Sequence, residues 1–140
     1  MKKSVLILLA FVLVLMTGCA QKAGEDNTER SYTQITQDEA KEMMAKDDGH
    51  VIVDVRRQDE YDAGHIPGAI LIPNESIGTE QPEELPDPDQ IILVYCRSGN
   101  RSKQASQKLA DMGYTNVYEF GGINDWTGEI VTGESDSQKH

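Results

Sequence analysis

Two short apolar runs constrain the fold of this chain more than any other feature. Residues 91–95 read Ile-Ile-Leu-Val-Tyr and residues 51–55 read Val-Ile-Val-Asp-Val, so both are rich in β-branched side chains and apolar nearly throughout. A strand without polar alternation is buried on both faces, as interior strands of parallel sheets are. The two runs therefore predict interior strands of a mostly parallel sheet.

Segments with helical spacing separate the predicted strands. Thr36-Gln37-Asp38-Glu39 is a capping box that opens a helix through about Lys46. A short helix is predicted over 58–63, and a longer one over 102–112 that stops at Gly113. Weaker strand patterns lie at 32–35, 69–72 and 117–120. Strands that alternate with helices predict an α/β fold, with a small, mostly parallel central sheet flanked by helices on both faces.

The strongest candidate site follows the strand at 91–95. Ligands of open α/β sheets bind at the carboxyl ends of the strands, and Cys96 stands at such an end. Loop amides, the N-terminus of the next helix and two arginines all favour a thiolate, which is a nucleophile without an adjacent base. We therefore predict that Cys96 is catalytic. The loop that would cradle its cargo comprises Arg97, Ser98, Gly99, Asn100 and Arg101, with Ser102 in support.

Asp54 and His65 each allow two interpretations. Asp54 ends its strand near the same edge of the sheet, where it either tunes the site or forms an ion pair, with Arg101 as the partner, that fixes the loop. We favour the ion pair, because a nearby unpaired carboxylate would disfavour the thiolate. His65 precedes Pro67 in a glycine-rich turn, where it is either a proton donor or a hydrogen-bonding part of the turn. We favour the structural role.

Four motifs in order carry a family resemblance. They are Val53-Asp54-Val55-Arg56 with Glu60-Tyr61, Gly64-His65-Ile66-Pro67-Gly68-Ala69, Val94-Tyr95-Cys96-Arg97-Ser98-Gly99-Asn100-Arg101-Ser102, and Gly121-Gly122 before Trp126. The stretch from about Tyr32 to Ile130 resembles a rhodanese domain. The resemblance implies that Cys96 takes a sulfane sulfur from a donor such as thiosulfate, becomes a persulfide held by the loop amides, and passes the sulfur to a nucleophilic acceptor. It implies no cofactor.

Two other functions remain open at this point. One is a binding module that carries persulfide or sulfide, or docks a partner, with negligible turnover. The other is a cysteine-based phosphatase or arsenate reductase. Phosphatases that share this fold place five residues between cysteine and arginine, whereas four separate Cys96 from Arg101. The shorter loop favours a sulfur atom as cargo, and arsenate reduction usually recruits cysteines beyond the two in this chain, Cys19 and Cys96.

The first residues of the chain predict export and lipidation. A basic start at Lys2 and Lys3 precedes twelve apolar residues, 5–16, which are too few for an ordinary transmembrane helix and fit a signal peptide. The run ends at Cys19 in a sequence that resembles a bacterial lipobox. We therefore predict a lipoprotein signal peptide over 1–18, a lipidated Cys19 with a flexible tether over 19–31, a rhodanese-like domain over 32–131 and a disordered tail over 132–140, with the domain anchored outside the cytoplasm.

The charge of the chain restricts its partners. A formal net charge of −11 repels nucleic acid, so we predict none as a partner. A small anionic sulfur donor then needs a local cationic site, and Arg97 is the candidate. The acceptor is expected to be a thiol or a thioredoxin-like protein. The two cysteines form no CxxC motif and no cluster with histidine, so no metal site is predicted.

Overall fold

The computed structural model describes residues 30–133, in which strands and helices alternate along the chain. The strands are β1 (Thr33–Gln34), β2 (Val51–Asp54), β3 (Ile70–Leu71), β4 (Ile91–Cys96) and β5 (Asn116–Gly122). The helices are α1 (Gln37–Met44), α2 (Gln58–Ala63) and α3 (Asn100–Met112). No helix in the described part of the chain is long and apolar enough to cross a membrane. The predicted signal peptide, Cys19, nearly all of the tether and residues 134–140 lie outside the described residues.

The strands form one sheet in the order β1-β5-β4-β2-β3, and each of its four pairings is parallel. The predicted fold class is confirmed, because the sheet is parallel and helices cover both faces. The apolar runs that predicted interior strands are β2 and β4, and β4 occupies the centre of the sheet. All five strands point the same way, so their carboxyl ends share one edge of the sheet.

Alternate residues of each strand pack on opposite faces of the sheet. In β4, Ile92, Val94 and Cys96 lie in a buried cluster with Ala105 and Leu109 of α3. The intervening residues, Leu93 and Tyr95, lie in a second cluster with Ala40 of α1 and Tyr61 of α2. Cys96 therefore belongs to the α3 face of the sheet.

The predicted capping box at the start of α1 is present. The Glu39 amide donates to Thr36 Oγ1 at 3.1 Å, and the Thr36 amide donates to Glu39 Oε2 at 2.7 Å. At the other end of the described chain, Val131 pairs with His65 in an isolated antiparallel bridge, and the Gly133 amide donates to the Asp62 carbonyl at 3.0 Å. The described chain is thus tied to the domain up to its last residue.

Candidate active site

The thiol of Cys96 lies at the carboxyl end of the central strand, against the first turn of α3. The residue is only 1% exposed. The β4–β5 register shifts between Val94 and Cys96, which places Cys96 opposite Gly122 rather than Gly121. This irregularity brings the loop after Cys96 onto the glycine pair that ends β5.

The sulfur atom has two close polar neighbours. The Gly99 amide donates to Cys96 Sγ at 3.0 Å, and the Cys96 thiol donates to Ser102 Oγ at 3.4 Å. Gly99 has a φ of +106°, a conformation that side chains rarely adopt, which explains why glycine occupies this position. The sequence predicted several loop amides around the sulfur, but Gly99 supplies the one described amide hydrogen bond to it. That amide stands at the N-terminus of α3, so it stabilises negative charge on the sulfur.

The backbone of the loop rests on β5. The Asn124 amide donates to the Arg97 carbonyl at 3.1 Å, and Gln37 Nε2 of α1 donates to the Gly122 carbonyl at 2.9 Å. A Cβ added at Gly122 would lie 2.0 Å from the Arg97 carbonyl oxygen, so only glycine permits this approach. The side chains of three predicted loop residues, Arg97, Ser98 and Asn100, are exposed, and no hydrogen bond from them to the sulfur is among those described.

Arg101 ends the loop and turns towards α2. Its guanidinium donates to both Glu60 oxygens, at 2.8 and 3.0 Å, and the Arg57 amide donates to Glu60 Oε2 at 3.0 Å. Glu60 therefore joins the N-terminus of α2 to the start of α3. The hydrogen bonds from Arg101 lower the pKa of the Glu60 carboxyl from 4.5 to about 2. Because Arg101 is paired with Glu60, the negative charge of Glu60 offsets most of the positive potential that Arg101 exerts at the sulfur.

Asp54 forms the ion pair that we favoured, but the predicted partner, Arg101, is wrong. The partner of Asp54 is Arg56, whose Nη2 lies 2.7 Å from Asp54 Oδ2 in a buried pair. Arg56 Nη2 also donates to the Gly64 carbonyl at 2.6 Å, so the pair fixes the turn after α2 rather than the active-site loop. Arg56 lies only two residues from Asp54 in the chain, so its guanidinium reaches the Asp54 carboxylate without a long-range contact.

His65 has the structural role that we favoured. It is buried, its Nδ1 lies 2.9 Å from the Tyr61 carbonyl, and its ring stacks on Tyr61 with the centroids 3.8 Å apart. Its backbone pairs with Val131. Within residues 30–133, no three His, Cys, Asp or Glu side chains are grouped so that they would hold a metal ion.

Comparison with known proteins decides the family. The model of the rhodanese-like domain family matches residues 36–129, which include β2, the Cys96 loop and the glycine pair that supports it. The chain belongs to the rhodanese-like domain family. The family resemblance inferred from the four motifs is thus confirmed.

Relatives of this rhodanese-like domain are named for sulfur chemistry. It is 36% identical to the thiosulfate sulfurtransferase GlpE of Coxiella burnetii over 110 residues, which cover 78% of this chain and 98% of that protein. It is 33% identical to the putative sulfur carrier protein YrkF of Bacillus subtilis over 112 residues, 78% of this chain and 60% of that protein. A solved structure of a rhodanese with anions from E. coli is 36% identical, with a TM-score of 0.56, and the match covers 60% of this chain and 99% of that one. These matches place the domain in the sulfurtransferase class.

Sequence reasoning assigned no role to two acidic residues of the site. Glu60 stood inside a quoted motif, but its partner lies 41 residues away and only the fold brings them together. Glu119 of β5 is 1% exposed and accepts a hydrogen bond from Ser102 Oγ at 2.7 Å. A signal for Glu119 existed, because a lone acid inside an otherwise apolar run of a buried strand is unusual.

The Glu60–Arg101 pair predicts a pH-dependent stability of the rhodanese-like domain. The pKa of Glu60 is lowered in the folded state, so the pair stabilises the fold above the unfolded-state pKa of about 4.3, and this stabilisation is lost as the pH falls towards 2. Glu60→Gln is expected to lower the free energy of unfolding by about 1–2 kcal/mol at pH 7, a figure reduced for the partial exposure of the pair. Urea unfolding at pH 7 and at pH 2.5 measures both values.

A matched control comes from the same helix. Asp59 pairs with Arg57 at 2.9 Å, but both side chains are largely exposed, so Asp59→Asn should have a much smaller effect at pH 7. The difference between wild type and Glu60→Gln should shrink at pH 2.5. An equal difference at both pH values would mean that the Glu60 charge does not stabilise the domain.

Proposed function

We propose that this rhodanese-like domain moves sulfane sulfur from thiosulfate or a persulfide donor to a thiophilic acceptor through a persulfide on Cys96. One observation carries the proposal. The Cys96 sulfur accepts a hydrogen bond of 3.0 Å from the Gly99 amide at the N-terminus of α3, inside a loop of four residues between Cys96 and Arg101. A thiol held this way supports an anionic sulfur, and the short loop suits one sulfur atom.

The proposed reaction has two steps. After the Cys96 thiol has lost its proton to solvent, the thiolate attacks the outer sulfur of thiosulfate. A new S–S bond forms at Cys96 Sγ, the S–S bond of thiosulfate breaks, and sulfite leaves with the electron pair. In the second step an acceptor nucleophile, such as cyanide or a thiolate, attacks the outer persulfide sulfur, and the Cys96 thiolate leaves. The reactants would reach the buried sulfur past Arg97, Ser98 and Asn100, the exposed residues of the loop that follows Cys96.

Arg97 is the proposed binding residue for the anionic donor. Arg101 pairs with Glu60, and Arg56 pairs with Asp54, whereas no acidic partner of Arg97 is found among residues 30–133. A cation without a counter-ion in the loop after Cys96 would attract an anion to a chain of net charge −11. A rhodanese from E. coli with a similar structure was solved with anions, which supports an anionic donor.

Arg97→Ala is expected to raise the KM for thiosulfate about three- to ten-fold, with little change in kcat, because it removes a charge-assisted contact to the donor and not the nucleophile. Steady-state production of thiocyanate from thiosulfate and cyanide measures both constants. Lys46→Ala is the matched control, because it removes the same charge from an exposed position just before β2, at the opposite edge of the sheet. Equal KM values in the wild type and Arg97→Ala would remove Arg97 from the donor site.

A second candidate function is a persulfide carrier with slow turnover. The sulfur carrier name of YrkF and the near-complete burial of Cys96 favour it. The same assay separates the two functions. An enzyme turns over many times in excess thiosulfate and cyanide, whereas a carrier gains the mass of one sulfur atom on Cys96 and releases it slowly to cyanide. A wild-type protein that gains no sulfur from thiosulfate or from a persulfide donor would contradict both.

A further inference from the structure

A buried carboxylate without a cationic partner stands behind the catalytic sulfur. Glu119 lies on β5, faces α3, and is 1% exposed. Its side chain accepts hydrogen bonds from Ser102 Oγ at 2.7 Å, the Gly121 amide at 2.8 Å and Gln34 Nε2 at 3.2 Å. No Lys, Arg or His of the described chain forms an ion pair with it. Burying an unpaired charge is costly, so its position calls for a functional explanation.

The Ser102 hydroxyl links Glu119 to the sulfur. This hydroxyl has one proton and three oxygen acceptors within reach: Glu119 Oε1 at 2.7 Å, the Gly99 carbonyl at 3.0 Å and the Gly121 carbonyl at 3.3 Å. Its fourth neighbour is Cys96 Sγ at 3.4 Å, whose thiol donates to it. A carboxylate is the strongest acceptor among the three oxygens, and it is also the nearest. The Ser102 proton therefore points to Glu119, and a lone pair of Ser102 faces the sulfur.

We propose that Glu119 is a positioning residue that acts through Ser102 to hold Cys96 in its thiol form. A lone pair that faces the sulfur accepts the S–H of a thiol and repels the lone pairs of a thiolate. The negative charge of Glu119 acts in the same direction, because a nearby carboxylate disfavours a second anion. The hydroxyl beside the sulfur is thus an acceptor in the resting protein, rather than the donor that a thiolate site would need.

The other charged groups around the sulfur do not cancel this effect. Arg101 interacts electrostatically with Cys96, but it is bound to Glu60. On β2 and in the segment after it, Asp54 and Arg56 neutralise each other. Arg97 is exposed on the loop after Cys96. The Gly99 amide and the N-terminus of α3 favour the thiolate, and Glu119 with Ser102 opposes them.

The test is the pH dependence of alkylation of Cys96 by iodoacetamide in the full chain, followed on the Cys96 peptide by mass spectrometry. Alkylation requires the thiolate and no sulfur transfer, so the result does not depend on the proposed function. Glu119→Gln keeps the shape and an acceptor for Ser102 but removes the charge. Cys96 in this variant should react about ten-fold faster than wild type at pH 6, and equally fast at high pH where both are ionised. Glu42→Gln, an exposed substitution of the same kind on α1, should match the wild type.

The direction in which Ser102→Ala changes the alkylation rate of Cys96 is an independent test. If Ser102 accepts from the thiol, removing it accelerates alkylation at pH 6 about two- to three-fold; if Ser102 donates to a thiolate, removing it slows alkylation. In the Ser102→Ala background the effect of Glu119→Gln should fall well below ten-fold. Slower or unchanged alkylation in Glu119→Gln, slower alkylation in Ser102→Ala, or a full Glu119→Gln effect without Ser102 would each overturn the proposal. If Glu119→Gln does not fold, the sign of the Ser102→Ala effect decides.

Discussion

Cys96→Ser is expected to abolish sulfur transfer while the domain remains folded. The variant loses the atom that forms the persulfide, and a serine hydroxyl is neither ionised near neutral pH nor able to carry sulfane sulfur. We expect thiocyanate production to fall by at least about a thousand-fold, to the uncatalysed rate, because in the proposed reaction all turnover passes through the Cys96 persulfide. The measurement combines the thiosulfate and cyanide assay with the intact mass after thiosulfate treatment, which should show no added sulfur on Cys96→Ser.

Cys96→Ala separates chemistry from folding. Serine still accepts the hydrogen bond from the Gly99 amide, which lies 3.0 Å from the sulfur in the wild type. Alanine leaves that amide without its side-chain acceptor, so Cys96→Ala should be less stable than Cys96→Ser by about 1–2 kcal/mol, while both variants are equally inactive. Thiocyanate produced by Cys96→Ser above the uncatalysed rate would show that the sulfur is carried elsewhere.

The sequence predicted the fold well because its local signals agree with the tertiary structure. The two apolar runs form β2 and β4, and the predicted helix over 58–63 matches α2, Gln58–Ala63. The helix predicted over 102–112 begins two residues earlier, at Asn100, because Gly99 serves as its N-cap in place of a side-chain cap. Pairing order and register are absent from such patterns, since they depend on contacts between distant segments.

The candidate site was predicted in part. The sequence identified Cys96, Gly99 and Ser102, because a cysteine between a buried strand and a helix has to lie at the helix N-terminus. The ion pairs were predicted less well. Asp54 pairs with Arg56, two residues away, and Arg101 pairs with Glu60, which the fold brings to it from α2. Charge type alone cannot rank such partners, because geometry decides which carboxylate a guanidinium reaches.

The hydrogen-bond role of Ser102 illustrates a second limit. From sequence, Ser102 is placed in support of the loop, without a hydrogen-bond partner. In the structure, Ser102 is nearer to a buried carboxylate of β5 than to Cys96, at 2.7 Å against 3.4 Å. Since β5 follows α3 in the chain and returns beside β4, this neighbour is set by the parallel topology and not by local pattern.

The close approach of the active-site loop to β5 predicts a large effect for Gly122→Ala. An added Cβ would lie 2.0 Å from the Arg97 carbonyl oxygen and 2.6 Å from the Ser98 nitrogen, both backbone atoms that a rotamer change cannot move. Gly122 has a φ of −136°, which alanine adopts freely, so the obstacle is contact and not backbone conformation. We expect Gly122→Ala to displace the loop, to lower the free energy of unfolding by about 1–3 kcal/mol and to reduce kcat/KM for thiosulfate at least about ten-fold.

Gly78→Ala is the matched control for this steric argument. A Cβ at Gly78 would meet no atom within 4 Å, so the same substitution should leave stability and activity close to wild type. Urea unfolding and the thiocyanate assay measure both variants. The Asn124 amide holds the displaced segment through the Arg97 carbonyl, at 3.1 Å, so hydrogen exchange of Asn124 should speed up in Gly122→Ala and not in Gly78→Ala. Wild-type activity with an unchanged Asn124 exchange rate in Gly122→Ala would show that the loop accommodates the extra methyl group, and that its contact with β5 does not hold Cys96 in place.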